Sequence, residues 1–134
     1  MKKTYKYYWE DFPVDSIREF GGITLSKADI VRFAREFDPQ PFHIDEDAAS
    51  HSPFGGLIAS GWHTCSMVMR MMCDAYLLDS ASLGSPGIDK LKWLKPVRPG
   101  DTIELKWVVT HIEPKSLGNI VTLDGSITNQ SGEV

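Results

Sequence analysis

The sequence has little of what marks disulfide-linked or nucleic-acid-binding proteins. Of its 134 residues only two are cysteines, and the net charge is -4. Cys65 and Cys73 are predicted to share one helix, where eight residues span roughly 12 Å, beyond the ~7 Å that a disulfide can bridge. They are therefore predicted to be reduced core thiols. An acidic chain without a concentrated basic face is unsuited to neutralising phosphates, so no nucleic-acid partner is expected.

Motifs of other functional classes are also missing. No Gly-x-Ser-x-Gly segment occurs, which disfavours serine hydrolysis. The spacing of His43, Asp45, His51 and His63 matches no zinc pattern, so no metal site is predicted. Residues 1–8 have no apolar signal core, and no apolar stretch is long and uninterrupted enough to span a bilayer, which needs about 20 residues. The expected protein is cytoplasmic, does not bind a membrane and needs no cofactor.

The composition is that of an ordinary globular domain. Hydrophobic residues make up 42% of the chain and charged residues 24%, enough apolar material for one core. A length of 134 residues fits one domain, which we expect to cover residues 1–134. The sequence ends at Val134, where one more strand would be expected to begin, and it leaves open whether the domain lacks its last strand.

Helical patterns dominate the first half. Ser26 can cap a helix that Pro39 stops, with a buried stripe at helical spacing formed by Ile30, Phe33, Ala34 and Phe37. Asp45 can cap a second, short helix through Ala49. A third helix, from about 60 to 78, is apolar nearly all round and must be enclosed.

Strand patterns dominate the second half. Residues 102–112 alternate buried and polar positions, as do residues 120–128. Between the strands, Arg98-Pro99-Gly100-Asp101 has proline and glycine where a type II turn needs them. Three further strands are predicted at 3–8, 23–25 and 88–94, and a turn at Gly21-Gly22. An antiparallel sheet curled around the long helix, an α+β fold, is the expected architecture.

An acid and a base, Asp38 and His43, lie on either side of two prolines. Pro39 and Pro41 remove amide donors and bias their neighbours toward extended backbone, so a rigid, non-helical loop is predicted. Five residues apart on a helix the two side chains would diverge by roughly 140°, whereas a loop can turn both into one pocket. There they could hold and deprotonate one water. The alternative is that Asp38 bonds loop amides and His43 packs.

Gly61 begins the long helix, where the first amides lack partners and carry the positive end of the helix dipole. It is therefore a candidate donor to a developing oxyanion, and the missing side chain permits close approach. The alternative is that Gly55, Gly56 and Gly61 only permit a tight turn and close packing.

The sequence resembles a known family. The segment 38–43 with Ala48 behind it, then 55–61 and 96–101, is similar to the MaoC-like dehydratases, which are hot-dog-fold relatives of the (R)-specific enoyl-CoA hydratases. The similarity spans residues 8–130. Many hydratases have Asn where this chain has Gln40, a Ser/Thr-Gly pair where it has Glu36-Phe37, and His where it has Ser60.

The resemblance implies an enoyl-CoA hydratase or 3-hydroxyacyl-CoA dehydratase. Asp38 and His43 would hold the water and the Gly61 amide would polarise the thioester, with coenzyme A entering as part of the substrate. Family members pair into dimers with the acyl tunnel at the interface, so a homodimer or a dimer of dimers is expected. The alternatives are a hot-dog acyl-CoA thioesterase and a non-catalytic acyl-thioester-binding subunit.

Further substrate contacts are expected from two places. Ser60, Trp62 and His63 surround the start of the long helix. The basic run containing Lys92, Lys95 and Arg98 could supply positive charge for coenzyme A phosphates, although such a run is more often a solvated strand face.

Overall fold

Helices occupy the middle of the chain, and the sheet combines one early strand with two late ones. The computed structural model describes residues 4–134. The helices are α1 (Lys27–Phe37), α2 (Pro41–Ile44), α3 (Glu46–Ser50) and α4 (Gly61–Ala75), and the strands are β1 (Ile17–Thr24), β2 (Thr102–Glu113) and β3 (Ile120–Thr128). Single 3₁₀ turns cover Trp9–Asp11 and Leu77–Asp79.

The three strands form one antiparallel sheet in the order β1-β2-β3, with β2 in the centre. The inward face of β2 is almost inaccessible to solvent and comprises Ile103, Leu105, Trp107 and Val109. It packs in one core with Met71 and Tyr76, at the end of α4. Alternating burial along β2 confirms the predicted strand, and β3 has the predicted bounds. A sheet packed on one long helix is the hot-dog arrangement that was expected.

Strand β1 is longer than predicted and runs through the glycine pair. Phe20 pairs with Leu105 and Ile23 with Ile103, so Gly21 and Gly22 together oppose a single residue of β2. This is a β-bulge, a feature that the absence of side chains favours. The prediction of a turn there was wrong, because a bulge and a turn have the same glycine signal.

Two other predicted strands do not form. Residues 88–94 contain neither helix nor strand, and their side chains are exposed. Of the predicted strand 3–8, Lys3 lies outside the described residues, and the rest makes a single bridge from Tyr7 to Ser80. An alternating pattern forms a strand only where a neighbour accepts its hydrogen bonds, and within residues 4–134 the sheet offers none to these segments.

Helix α4 is covered on one face only. Met71 is buried, but Trp62 is 57% exposed and Met69 is exposed as well. The prediction that this helix is enclosed all round is therefore wrong for the single chain, because three strands cover only one face. Phe37, predicted to be buried on α1, is also exposed. Within residues 4–134 no helix combines the length and the apolarity that crossing a bilayer requires.

The two cysteines of α4 are free thiols. Cys65 and Cys73 are each half-buried. The predicted reduced state agrees with this. The prediction that both side chains lie in the core was wrong, because the helix face that carries them is only partly covered.

Candidate active site

The end of α1 places Asp38. At the start of the helix, the Ser26 hydroxyl accepts the Asp29 amide proton at 3.1 Å, which confirms the predicted cap. At its end, the Asp38 amide still donates to the Ala34 carbonyl at 2.8 Å, but Asp38 has left helical geometry. Pro39 prevents continuation because its ring would clash with the preceding turn. Asp38 is thus the residue at which a rigid helix stops.

A short helix, not a loop, carries His43. Helix α2 begins at Pro41, and the His43 amide donates to the Gln40 carbonyl at 2.9 Å. The prediction that this stretch is non-helical was wrong at residues 41–44. Proline is well suited to the first position of a helix, where its missing N–H would have no partner and its φ is already helical. The turn at Gln40 and the start of α2 bring His43 back toward Asp38.

The ring of His43 is buried, and its orientation is fixed by the main chain. Its Nδ1 lies 2.7 Å from the Ile58 carbonyl oxygen. A carbonyl can only accept, so Nδ1 carries a proton and donates it, which leaves Nε2 of the neutral ring as an acceptor. Nε2 lies 3.3 Å from Oδ2 of Asp38. When the ring is neutral, two acceptors face each other here; when Nε2 is protonated, it donates directly to Oδ2 of Asp38.

The Asp38 carboxylate receives two side-chain hydrogen bonds. Gln40 Nε2 donates to Oδ1 and Ser60 Oγ donates to Oδ2, each at 2.7 Å. Burial alone raises the pKa of Asp38, but the hydrogen bonds from Gln40 and Ser60 and, when its ring is protonated, the attraction of His43 outweigh it, so the pKa lies below its usual value. Asp38 is therefore ionised at neutral pH. Its side chain is 17% exposed, which leaves the carboxylate open to water.

The start of α4 lies directly beside this pair. Gly61 is the first helical residue, so its amide has no acceptor within the helix. Ser60 precedes it at the N-cap position but makes no capping hydrogen bond. A Cβ placed on Gly61 would lie 2.3 Å from Cε2 of Trp93, so the indole rests against the glycine backbone. Close packing against Trp93 is one reason for a glycine at position 61. This role is compatible with a second one, as an amide donor at the start of α4.

The other predicted contacts near α4 are divided between surface and core. Trp62 is exposed and meets Trp93 edge to face, with ring centroids 5.3 Å apart. His63 is buried and stacks on Phe33 at 4.7 Å, and its Nδ1 has no hydrogen-bond partner among the described residues. Trp62 is thus available to a ligand, whereas His63 faces α1.

The structure does not bring the basic run together as one cluster. Lys95 forms an ion pair with Glu133, and Arg98 Nη2 donates to the Phe54 carbonyl at 2.6 Å. Arg98 therefore anchors the loop that leads from α3 to the site. Lys92 is exposed. The predicted type II turn is present, because Gly100 has φ of +86° and the Asp101 amide donates to the Arg98 carbonyl at 3.0 Å.

Two clefts flank the outer face of α1, with volumes of about 610 and 710 Å³. Lys27, Val31 and Arg35 line both of them. Neither is lined by Asp38, His43 or Gly61, so these clefts are separate from the acid–base pair.

The hydrogen bond from Gln40 to Asp38 was not predicted from the sequence. A signal was available, because a polar side chain between two prolines has few local partners and lies only two residues from the carboxylate. The Ile58 carbonyl was missed as well, and no side-chain pattern could have indicated a main-chain partner.

The family follows from comparison with known proteins. The sequence profile described as MaoC like domain matches residues 13–130, a range that contains Asp38, His43 and Gly61. The chain belongs to this family. A MaoC-like dehydratase from Rhodospirillum rubrum has a structure with a TM-score of 0.85 and 40% sequence identity, covering 96% of this chain and 89% of that one.

Two further relatives have the same sequence identity to this MaoC-like chain. The 3-hydroxybutyryl-CoA dehydratase of Methylorubrum extorquens is 31% identical over 133 residues, covering 88% of this chain and 80% of the relative. The uncharacterized protein YdeM of Bacillus subtilis is 31% identical over 106 residues, covering 79% and 75% respectively. A dehydratase therefore belongs to the same family as this chain.

The buried His63 of this MaoC-like domain should make stability depend on pH. Burial lowers the pKa of His63, Asp29 raises it and Arg32 lowers it, with a net shift below the ordinary 6.5. The unfolded chain therefore binds the proton first as the pH falls. The contribution of neutral His63 to stability is complete above pH 6.5 and is lost as the pH falls toward the lowered pKa.

Denaturant unfolding at pH 7.5, 6.5 and 5.5 measures this effect. His63→Phe keeps an aromatic ring stacked on Phe33 but removes the titration, so the variant should lose less free energy of unfolding over this range than the wild type. Asp38 does not interfere, because its pKa lies below 3.8. Equal losses in the two proteins would contradict the assignment.

Proposed function

We propose that this protein adds water to the 2,3 double bond of an enoyl thioester, or removes it from the 3-hydroxyacyl thioester in the reverse direction. In hydration the hydroxyl of one water bonds to C3, the acid–base pair accepts the remaining proton of that water, and the pair then passes a proton to C2, which returns it to its starting state. The sum is one water added, and neither a metal nor a redox cofactor takes part. Coenzyme A enters as part of the substrate.

The observation that carries the proposal is the pair of facing acceptors. With Nδ1 bonded to the Ile58 carbonyl, the neutral ring of His43 and the Asp38 carboxylate present two lone pairs to the same point, on Nε2 and Oδ2, which lie 3.3 Å apart. A water that donates to one or both is held with its oxygen free to attack, and either group is positioned to take its proton. The ionised state of Asp38 at neutral pH suits the role of base.

The amide of Gly61 would assist at the thioester. Negative charge develops on the carbonyl oxygen as C3 is attacked, and an amide at a helix start without an acceptor of its own is suited to stabilise it. Gly61 follows Ser60, whose hydroxyl contacts Asp38 at 2.7 Å, so the amide and the acid–base pair lie in one region.

The names of the relatives support the substrate class. The Methylorubrum extorquens relative is named for dehydration of 3-hydroxybutyryl-CoA, and the Rhodospirillum rubrum structure is that of a MaoC-like dehydratase. A coenzyme A thioester of a short acyl chain is accordingly the first substrate to test.

A panel of enoyl-CoAs from short to long chain tests the proposal. We expect the conjugated enoyl absorbance to fall with appearance of the 3-hydroxyacyl product and without release of free thiol. Release of thiol would instead identify an acyl-CoA thioesterase. Saturable binding of the thioester with no turnover would identify a non-catalytic binding subunit.

We also propose that the protein works as a homodimer. Two tryptophans that contact each other support this, since Trp62 is 57% and Trp93 is 53% exposed and their ring centroids lie 5.3 Å apart. Exposed clusters of large apolar side chains often mark protein–protein interfaces. A monomeric mass in sedimentation equilibrium at micromolar concentration would contradict it.

A further inference from the structure

Within residues 4–134, two serines occupy N-cap positions of α-helices, and their hydroxyls make different hydrogen bonds. Ser26, at the start of α1, accepts the Asp29 amide proton and thereby caps its helix. Ser60, at the start of α4, makes no such hydrogen bond. Serine is favoured at N-caps because its oxygen satisfies a free amide of the first turn. Ser60 does not make this capping hydrogen bond, so its hydroxyl is able to donate to another group.

That group is the Asp38 carboxylate. Ser60 is completely buried, and its hydroxyl donates to Oδ2 across 22 residues of sequence. On the other side, the side-chain amide of Gln40 donates to Oδ1, while the Gln40 main-chain amide donates to the Asp38 carbonyl at 2.8 Å. Both carboxylate oxygens therefore have a fixed donor, and rotation about the last side-chain bond of Asp38 would break both hydrogen bonds.

We propose that Ser60 and Gln40 are positioning residues that hold the Asp38 carboxylate so that Oδ2 faces Nε2 of His43. This assignment replaces the predicted substrate contact of Ser60 and rests on the proposed function of Asp38 as a base. Ser60 has no surface with which to meet a ligand, and it acts on the reaction through Asp38. Leaving the Gly61 end of α4 uncapped also keeps its amides free for the substrate.

The two donors stabilise the ionised carboxylate as well as its orientation. Each bond is made to the charged form, and together with His43, the titratable neighbour that acts on Asp38, they offset burial. Without them only His43 opposes the effect of burial, so the pKa of Asp38 should rise and the carboxylate should turn more freely. A general base must be ionised to act, so the acidic limb of the kcat/KM profile should move to higher pH.

Four variants test the assignment: Ser60→Ala, Gln40→Ala, the double variant, and Ser26→Ala as the matched control. Ser60→Ala removes one oxygen atom and Gln40 is exposed, so both should fold. The readout that does not need turnover is the titration of the Asp38 carboxyl carbon by ¹³C NMR in aspartate-labelled protein, assigned with Asp38→Asn. The second readout is the pH profile of kcat and KM with an enoyl-CoA.

We expect each site variant to raise the pKa of Asp38, the double variant to raise it further, and kcat to fall by up to about 100-fold with KM nearly unchanged. Ser26→Ala should lower Tm and leave both readouts as in the wild type. An Asp38 titration that is unchanged in folded Ser60→Ala and Gln40→Ala overturns the positioning role. If the wild type turns over no enoyl-CoA but the variants raise the pKa of Asp38, the result supports the hydrogen bonds from Ser60 and Gln40 and contradicts only the proposed function.

Discussion

Replacing Asp38 with asparagine is expected to lower kcat for the best enoyl-CoA substrate by about 10²- to 10⁴-fold, the range that a positioned general base contributes. Asparagine has the same shape but cannot accept a proton from water. It would also turn an N–H₂ group toward the Gln40 or Ser60 donor. His43→Gln should cause a loss of similar size, because it removes the second acceptor of the pair. Since both groups act on one water, the double variant should be little worse than either single one.

Asp45→Asn is the matched control for this loss. Asp45 lies seven residues further along and caps α3 by accepting the Asp47 and Ala48 amide protons. Its replacement should affect stability and leave kcat unchanged. Wild-type turnover by folded Asp38→Asn or His43→Gln would contradict the acid–base assignment, whatever the effect on Tm.

Gly61→Ala keeps the amide but places a methyl group in front of it, and we expect kcat to fall by up to about 10²- to 10³-fold, the size of losing one oxyanion donor. The new methyl group would stand at the start of α4, where the thioester must approach the amide. It would also collide with the Trp93 indole, 2.3 Å away. The indole belongs to an exposed segment without helix or strand and can shift, so the loss of stability should be small beside the loss of turnover.

A double-mutant cycle with Trp93→Ala separates the two roles of Gly61. If glycine serves only to accommodate the indole, Gly61→Ala should be harmless in the Trp93→Ala background. If close approach to the amide matters, Gly61→Ala should remain slow there, and this is the result we expect. Recovery of the Trp93→Ala turnover rate in the double variant would assign Gly61 to packing alone.

The elements that the sequence predicted well are those whose signals are local. Helix α1 has its cap, its periodicity and its terminating proline within 14 residues, from Ser26 to Pro39, and β2 alternates without interruption. The strand predicted at 88–94 failed because pairing depends on a neighbour that no local pattern contains. Helix α2 failed for the opposite reason, since Pro41 was interpreted as a helix breaker although it occupies the first position, where proline favours a helix.

The candidate site was predictable in its reactive groups but not in its supports. Asp38 and His43 are close in sequence and stiffened by prolines, so their meeting could be inferred. Ser60 reaches Asp38 from 22 residues away, a contact that depends on how α4 is placed.

The partner of the His43 ring has a different consequence. Nδ1 is held by the carbonyl of Ile58, a main-chain atom that every amino acid supplies. Substitution at position 58 can change the packing of this segment but cannot remove the carbonyl that accepts from Nδ1. The tautomer of His43 therefore does not depend on which amino acid occupies position 58. The carboxylate, whose partners are both side chains, has no such protection. Substitutions at Gln40 and Ser60 can therefore change the pKa and the orientation of the Asp38 carboxylate while the imidazole of His43 keeps its orientation.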